Sequence, residues 1–432
     1  MRLHRSLLPL AAALALGGCS QERTCPTDET ACGGTCVALA TDAGNCGACG
    51  NTCAQGEACH AGACTTCAAA CGQGQVCQDG MCVAAVYAAC GNLAEVRGMT
   101  ADLAPAGPTL PTDQGPNSMV VLDGTLYVEN SLSGTLSVVT FDPTASTPKS
   151  LAIVPNATTG GADLEYVAAH DGLIFVSNSM AGTLVAYDPV RRLVIDETPL
   201  GAAGEPVYNQ GFTFVGEKAY VALNGVNAVA VVDVSAVPTC QPSSTGTSCG
   251  KLLERIDLSK LAYATASAGP TRAVAYGTNA FVSLNDEFDA TYAPVQGANG
   301  RLAVIDTVTG TAAPAALDLG NACQDASGLA LDGTTLWVAC GYYDYFGTKA
   351  VSGAALVPVD LSGSTPVVGA AIPLPNAASS VAFCGGVAYA GATDSGTVMR
   401  IDTAARTVTA ALICAPPVAG ADSYVPSVAC AP

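Results

Sequence analysis

The sequence predicts an all-β protein: a seven-bladed β-propeller, with six blades as the alternative, preceded by a small disulfide-rich region. Three observations predict it. A strand-only repeat runs from residue 119 onward, cysteine density falls sharply near residue 83, and the first residues carry an export signature. The expected division is 1–18 signal segment, 19–82 cysteine-rich region and 83–432 propeller.

The export signature comes first in the chain. Arg2, His4 and Arg5 form a positive segment, and Leu7 to Leu16 is an apolar run broken only by Pro9. Such a run is too short to span a bilayer and is followed by small residues, the pattern of a cleaved signal peptide. Leu16-Gly17-Gly18-Cys19 resembles the bacterial lipobox. The resemblance implies cleavage before Cys19, lipidation of its thiol, and an outer-membrane or cell-surface lipoprotein, since Ser20 rather than Asp follows. No later stretch is long and apolar enough to be a second anchor, so the membrane is expected to be a partner through the lipid alone.

Lys and Arg number 16 against 35 Asp and Glu, a formal charge of -19. A polyanion would be repelled by that surface, and no basic stripe offsets it, so nucleic acid is excluded as a partner. Half the residues are apolar, which argues against disorder. The chain is expected to be monomeric.

Of the 21 cysteines, Cys19 is assigned to lipid, twelve lie within 25–82 and eight are scattered from Cys90 to Cys430. In an exported chain this means disulfides. Residues 25–82 have almost no large apolar side chains, so covalent staples must replace a core. The stretch from Cys32 to Cys64, with Cys36, Leu39, Asp42, Asn45, Cys46, Cys49, Cys53 and Cys59 between, resembles the plant stigma-specific family of small secreted cysteine-rich proteins. It departs at Cys59-His60, where that family has two adjacent cysteines, which leaves the pairing open. Cys53-x5-Cys59-x4-Cys64 recurs as Cys71-x5-Cys77-x4-Cys82, an internal repeat with glycines at matching places. A zinc site at Cys46, Cys49 and His60 is outweighed by the oxidising setting, so no metal is expected there.

In the repeat, a turn with Gly leads into a strand whose second residue is aromatic: Tyr127, Phe175, Tyr220, Phe281, Trp337 and Tyr389. A further strand then ends in Asp: Asp142, Asp188, Asp233, Asp306, Asp360 and Asp402. The aromatics stand 45 to 61 residues apart, which is blade length, and the period-2 alternation suits stacked sheets. Tyr127-Val-Glu-Asn130 and Phe175-Val-Ser-Asn178 resemble the YVTN-repeat propeller family. Six blades are clear, and residues 84–114 with 415–432 are expected to supply a seventh.

The inventory argues against most enzyme classes. His4 is removed with the signal, His60 lies in the head and His170 beside a turn, so a His-ligated metal in the propeller is excluded. No nucleophile elbow, dinucleotide loop or phosphate loop stands in a suitable setting. A binding role toward a protein or glycan partner is favoured. A propeller hydrolase, lactonase or oxidoreductase-like enzyme is the alternative, because fold does not decide function.

Two blades carry extra residues between their second and third strands. The inserted stretches hold Asp286, Glu287, Phe288, Asp289 and Tyr292, and Tyr342, Tyr343, Asp344, Tyr345 and Phe346. Aromatics beside acids stack on sugars or anchor partners, so these are the candidate binding residues; no catalytic residue and no cofactor are expected, calcium being the one ion such loops could hold. The later cysteines are expected to pair as Cys240–Cys249, Cys323–Cys340 and Cys384–Cys414, with Cys90–Cys430 joining the ends of the ring.

Overall fold

The computed structural model describes residues 85–431 except 108, 141–148, 153–162, 242–247, 264–266, 286–298, 345–347, 417 and 419–421. N-terminal to these it describes 25, 30–32, 35–40, 42, 44–53, 57–60, 62–66, 75–78 and 81–84. The chain divides into two compact units, Met1–Ala69 and Ala70–Pro432. Cys19 lies outside the described residues, and no helix among them is long and apolar enough to cross a membrane.

The first unit is held by sulfur rather than by a core. Its hairpins pair Thr30–Cys32 with Thr35–Val37 and Glu57–His60 with Ala63–Thr66. Among its described residues four disulfides cross it: Cys25–Cys36, Cys32–Cys49, Cys46–Cys59 and Cys53–Cys64. The non-cysteine residues of its motif make the turns. Asp42 Oδ1 accepts from the Gly44 N–H at 2.8 Å and Asn45 Nδ2 at 3.1 Å, and Asn45 Oδ1 accepts from the Gly50 N–H at 2.8 Å. The internal repeat is a repeat of register. Cys59 stands opposite Cys64 in one hairpin, and Cys77 opposite Cys82 in the hairpin Gln75–Gln78/Met81–Ala84 of the second unit.

Seven antiparallel sheets of four or five strands follow. Their first strands are Pro116–Leu122, Leu164–His170, Asn209–Val215, Pro270–Tyr276, Ala326–Asp332 and Ala378–Cys384 in blades one to six, and Val428–Cys430 in the seventh. That last blade is built from both ends of the propeller: Val428–Cys430 pairs with Val86–Cys90, which pairs with Glu95–Met99. The seven-bladed expectation holds, with both termini closing the ring.

The repeat aromatics are core. Tyr127, Phe175, Tyr220, Phe281, Trp337 and Tyr389 are all buried between blades, and Tyr87 occupies the same strand position in the seventh. Of the closing Asp residues, Asp142 lies outside the described residues and the other five cap the next turn. Asp306 Oδ1 accepts from the N–H groups of Val308 and Thr309 at 2.8 and 3.1 Å; Asp188 and Asp402 repeat the pattern, and Asp360 and Asp233 do so with one amide each. A side-chain oxygen held two residues back mimics a backbone turn, which is why the repeat keeps Asp there.

The structure pairs Cys240 with Cys249 and Cys323 with Cys340. The other two expected pairs are exchanged: Cys90 bonds Cys414, and Cys384 bonds Cys430. The reason is the composite blade. Cys430 ends the strand beside the first strand of blade six, with its Sγ near the Phe383 carbonyl, whereas Cys414 follows the last strand of blade six and lies over Ala89. Each bond therefore links blade six to blade seven, and neither closes within one blade.

Candidate functional site

The site grows out of an irregularity shared by the inner strands. In blades one to six the first strand shifts register after its opening residue: between Pro116 and Ser118, Leu164 and Tyr166, Asn209 and Phe212, Pro270 and Ala273, Ala326 and Gly328, and Ala378 and Ser380. A bulge leaves residues unpaired and turns their side chains away from the ladder. Repeated at one height, it points a ring of side chains at the propeller axis. The bulge residues are Asn117 and Ser118, Glu165 and Tyr166, Gln210 and Gly211, Thr271 and Arg272, Ser327 and Gly328, and Ser379 and Ser380; Pro426 and Ser427 stand at the matching offset before the first strand of the seventh blade. They surround a cavity of about 180 Å³ whose lining includes Asn117, Tyr166, Arg272, Ser379, Ser380 and Ser427.

Above the bulges a second ring forms the mouth. The residue before each opening residue is Gly115, Asp163, Tyr208, Gly269, Asp325, Ala377 or Tyr424. In six blades its carbonyl accepts the N–H of the residue that follows the second strand, at 2.7–3.2 Å: Ser131, Ser179, Asn224, Asn285, Thr393 and Gly91. In blade five Gly341 donates to Gln324 instead. The mouth thus presents two carboxylates and two tyrosines on a fixed backbone ring. Tyr208 is 45% exposed, at φ 43°, and Leu132 and Met180, in the turns after the second strands of blades one and two, are exposed as well. A Cβ on Gly91 would stand 2.3 Å from the Tyr424 ring, so glycine there leaves the ring its place.

Electrostatics sharpen the site. Burial raises the Glu165 carboxyl above its usual range; Asp163 adds to the shift, while Arg272, Gln210 and Asn117 oppose it. Burial likewise raises Asp163, and pushes Asp325 up to about 6, with Ser327 opposing. Glu129, from the second strand of blade one, is fully buried, and neither carboxylate oxygen makes a hydrogen bond. Burial holds it well above the usual range, the charges of Glu165 and Asp163 add to this, and Arg272 and the Ser118 amide pull the other way. The matching strand position holds Ser177, Ala222, Ser283, Ala339, Gly391 and Ala89 in the other blades. One repeat therefore carries a carboxyl where six carry a small residue.

Among the described residues no three carboxylates converge on one point. The only groups spaced to share an ion contain cysteines that are already disulfide-bonded. The axial acids do not form a metal cage.

The two inserted stretches leave from this same face, because antiparallel pairing brings the end of each second strand back to where the first begins. Leu284 and Arg301 flank one of them. Asp286, Glu287, Phe288, Asp289 and Tyr292 lie outside the described residues, as do Tyr345 and Phe346. In blade five the insertion lengthens the hairpin: Tyr342 pairs with Ser352 and Tyr343 with Val351. Tyr342 and Tyr343 are half-buried, and the Lys349 ammonium sits 5.7 Å from the Tyr343 ring centre. Asp344 caps the turn, accepting from the Thr348 N–H at 2.6 Å and its hydroxyl at 2.8 Å. Burial raises Tyr342, with Asp344 and Asp325 adding to it, so this hairpin stands beside the mouth.

Sequence reasoning pointed to the inserted stretches, which leave from the face that carries the mouth, but not to the axial residues. Their signal was the aligned repeat: Glu129 stands out once the six second strands are superposed, and the mouth residues precede each first strand at one offset.

Solved structures of similar fold include a candidate 6-phosphogluconolactonase from Bacteroides uniformis, 12% identical over 75% of this chain and 94% of that one, TM-score 0.53. A second, from Bacteroides fragilis, is 13% identical over 80% and 96%, TM-score 0.52. Hydrazine synthase of Kuenenia stuttgartiensis is 16% identical over 66% and 76%, TM-score 0.50. At such identities the likeness shows the fold alone. No curated protein sequence matches the chain. Residues 13–66 match the stigma-specific STIG1-like protein family, so the chain joins a STIG1-like cysteine-rich segment to a seven-bladed β-propeller.

Proposed function

We propose that this is an exported, lipid-anchored binding protein of the bacterial envelope whose propeller holds a glycan at the mouth of its axial channel. Leu16-Gly17-Gly18-Cys19 and the disulfides support the address. The observation that carries the glycan is the ring of Asp163, Tyr208, Asp325 and Tyr424 above a cavity lined by serines. Rigid aromatic faces stack on sugar rings, and carboxylates and hydroxyls take sugar hydroxyls. Screening the full lipidated chain in detergent against immobilised glycans tests this. Binding that weakens in Tyr208→Ala and Asp325→Asn supports it, whereas a folded protein that retains no glycan overturns it. Cys19→Ala should release the protein from membranes.

A second reading has its own support. Asp325, Glu165 and Glu129 are all held toward the neutral acid, and perturbed carboxyls in a cavity are the equipment of acid–base hydrolysis. The fold is shared with two candidate lactonases. Turnover of a sugar lactone that disappears in Asp325→Asn and Glu165→Gln would favour this reading over binding alone.

A further inference from the structure

We propose that the glycan held at the mouth carries a carboxylate, as a uronic acid does, and that Arg272 grips that group inside the axial cavity; the inference rests on the glycan reading above.

Arg272 is the only cationic side chain that lines the cavity. At its ring position the other blades hold Ser118, Tyr166, Gly211, Gly328, Ser380 and Ser427. Its guanidinium carbon stands 5.0 Å from the centre of the Tyr166 ring, reaching from blade four toward blade two. Contact with that ring face steadies the guanidinium and leaves its N–H groups for another partner. Nη1 is buried and makes no hydrogen bond, and among the described residues Arg272 makes no ion pair. A buried guanidinium nitrogen without an acceptor is costly. From blade six, the hydroxyls of Ser379 and Ser380 are buried and likewise without partners. One fork of N–H donors and two hydroxyls in one small cavity match a planar carboxylate.

The neighbouring acids narrow the class. Glu165, Glu129 and Asp163 lie close enough to act on one another, and the first two also feel Arg272. A phosphate group, at about -1.5 to -2, would meet their repulsion twice over. A single carboxylate meets less, and protonation of the raised Glu165 and Glu129 lowers it further. Among the described residues the acids that act on the guanidinium are Glu165 and Glu129, with Asp163 acting on both and Tyr166 and Tyr424 the other titratable groups nearby, so the acidic ligand should bind more tightly as pH falls.

Calorimetry on the full chain with matched galactose and galacturonate oligomers tests the inference. The acidic series should bind at least about tenfold more tightly, more weakly at high salt, and Arg272→Gln should reduce it to the neutral level. Ser379→Ala with Ser380→Ala should weaken the acidic series in a protein that keeps its unfolding temperature, which guards against a folding defect in the arginine variant. Equal binding of both series, unchanged by Arg272→Gln, would overturn the carboxylate and leave the glycan reading standing. Binding of neither series would remove the glycan reading, and this inference with it.

Discussion

Cys90 and Cys414 are separated by 324 residues in sequence and by 5.3 Å between their Cα atoms. Cys384 and Cys430, at the same Cα separation, form a second bond between the same two blades. The junction where the ring closes is therefore bonded twice, while the remaining described propeller disulfides, Cys240–Cys249 and Cys323–Cys340, bridge only 9 and 17 residues. A bond closing a long loop constrains the unfolded chain most. Cys90→Ser with Cys414→Ser should lower stability by about 4–5 kcal/mol, read by denaturant unfolding, against about 2–3 kcal/mol for Cys240→Ser with Cys249→Ser. Equal losses would mean that the junction has no special role.

Glu129 is a carboxyl whose folded-state pKa is raised, so its contribution is most favourable at low pH and is lost as pH rises toward the folded value. Glu129→Gln should match the parent near pH 4 and be the more stable protein at pH 8. The gap should grow by roughly 1.4 kcal/mol per pH unit until the parent carboxyl ionises. A gap that does not vary with pH would show that Glu129 is already ionised in the folded protein.

Asp325 offers a direct titration. Its carboxyl carbon should titrate near pH 6 in a carbon-detected NMR experiment, and the resonance should vanish in Asp325→Asn. The stability it contributes is whole below the ordinary aspartate range and is lost as pH rises through about 6. A midpoint near 4 would place the side chain in water rather than in the mouth.

Gly91→Ala should displace Tyr424, because the added carbon falls on the tyrosine ring while the backbone around it is left alone. Ligand affinity should fall by about fivefold, the worth of one stacking contact, with little change in unfolding temperature. A large stability loss with unchanged affinity would make Tyr424 structural.

The blade repeat was legible because its marks are local. The aromatic at the second strand position is core in every blade, and each described closing Asp accepts from an amide two or three residues on and so caps its turn. The seventh blade was legible only as a remainder, since its aromatic, Tyr87, lies ahead of the clear repeats. The crossed pairing of Cys90, Cys384, Cys414 and Cys430 was not legible, because it depends on which edge of blade six meets the returning strand. Nor was the axial ring, which depends on six aligned register shifts that no single repeat displays. The inserted stretches announced themselves by length, and in blade five that length proves to be hairpin, with Asp344 spent on its own turn.

The seventh blade also sets a timetable. Val428–Cys430 is the last of the described blade strands to be made and pairs with Val86–Cys90, which is made before the others. Until it arrives, the chain is an open arc with a bare strand at one end, and a bare edge invites pairing with a neighbouring copy. A ribosome that stalls or a protease that trims short of Val428 therefore yields a sticky fragment rather than a smaller working propeller. Completion of the ring is thus decided at its last strand, whatever the state of the six blades before it.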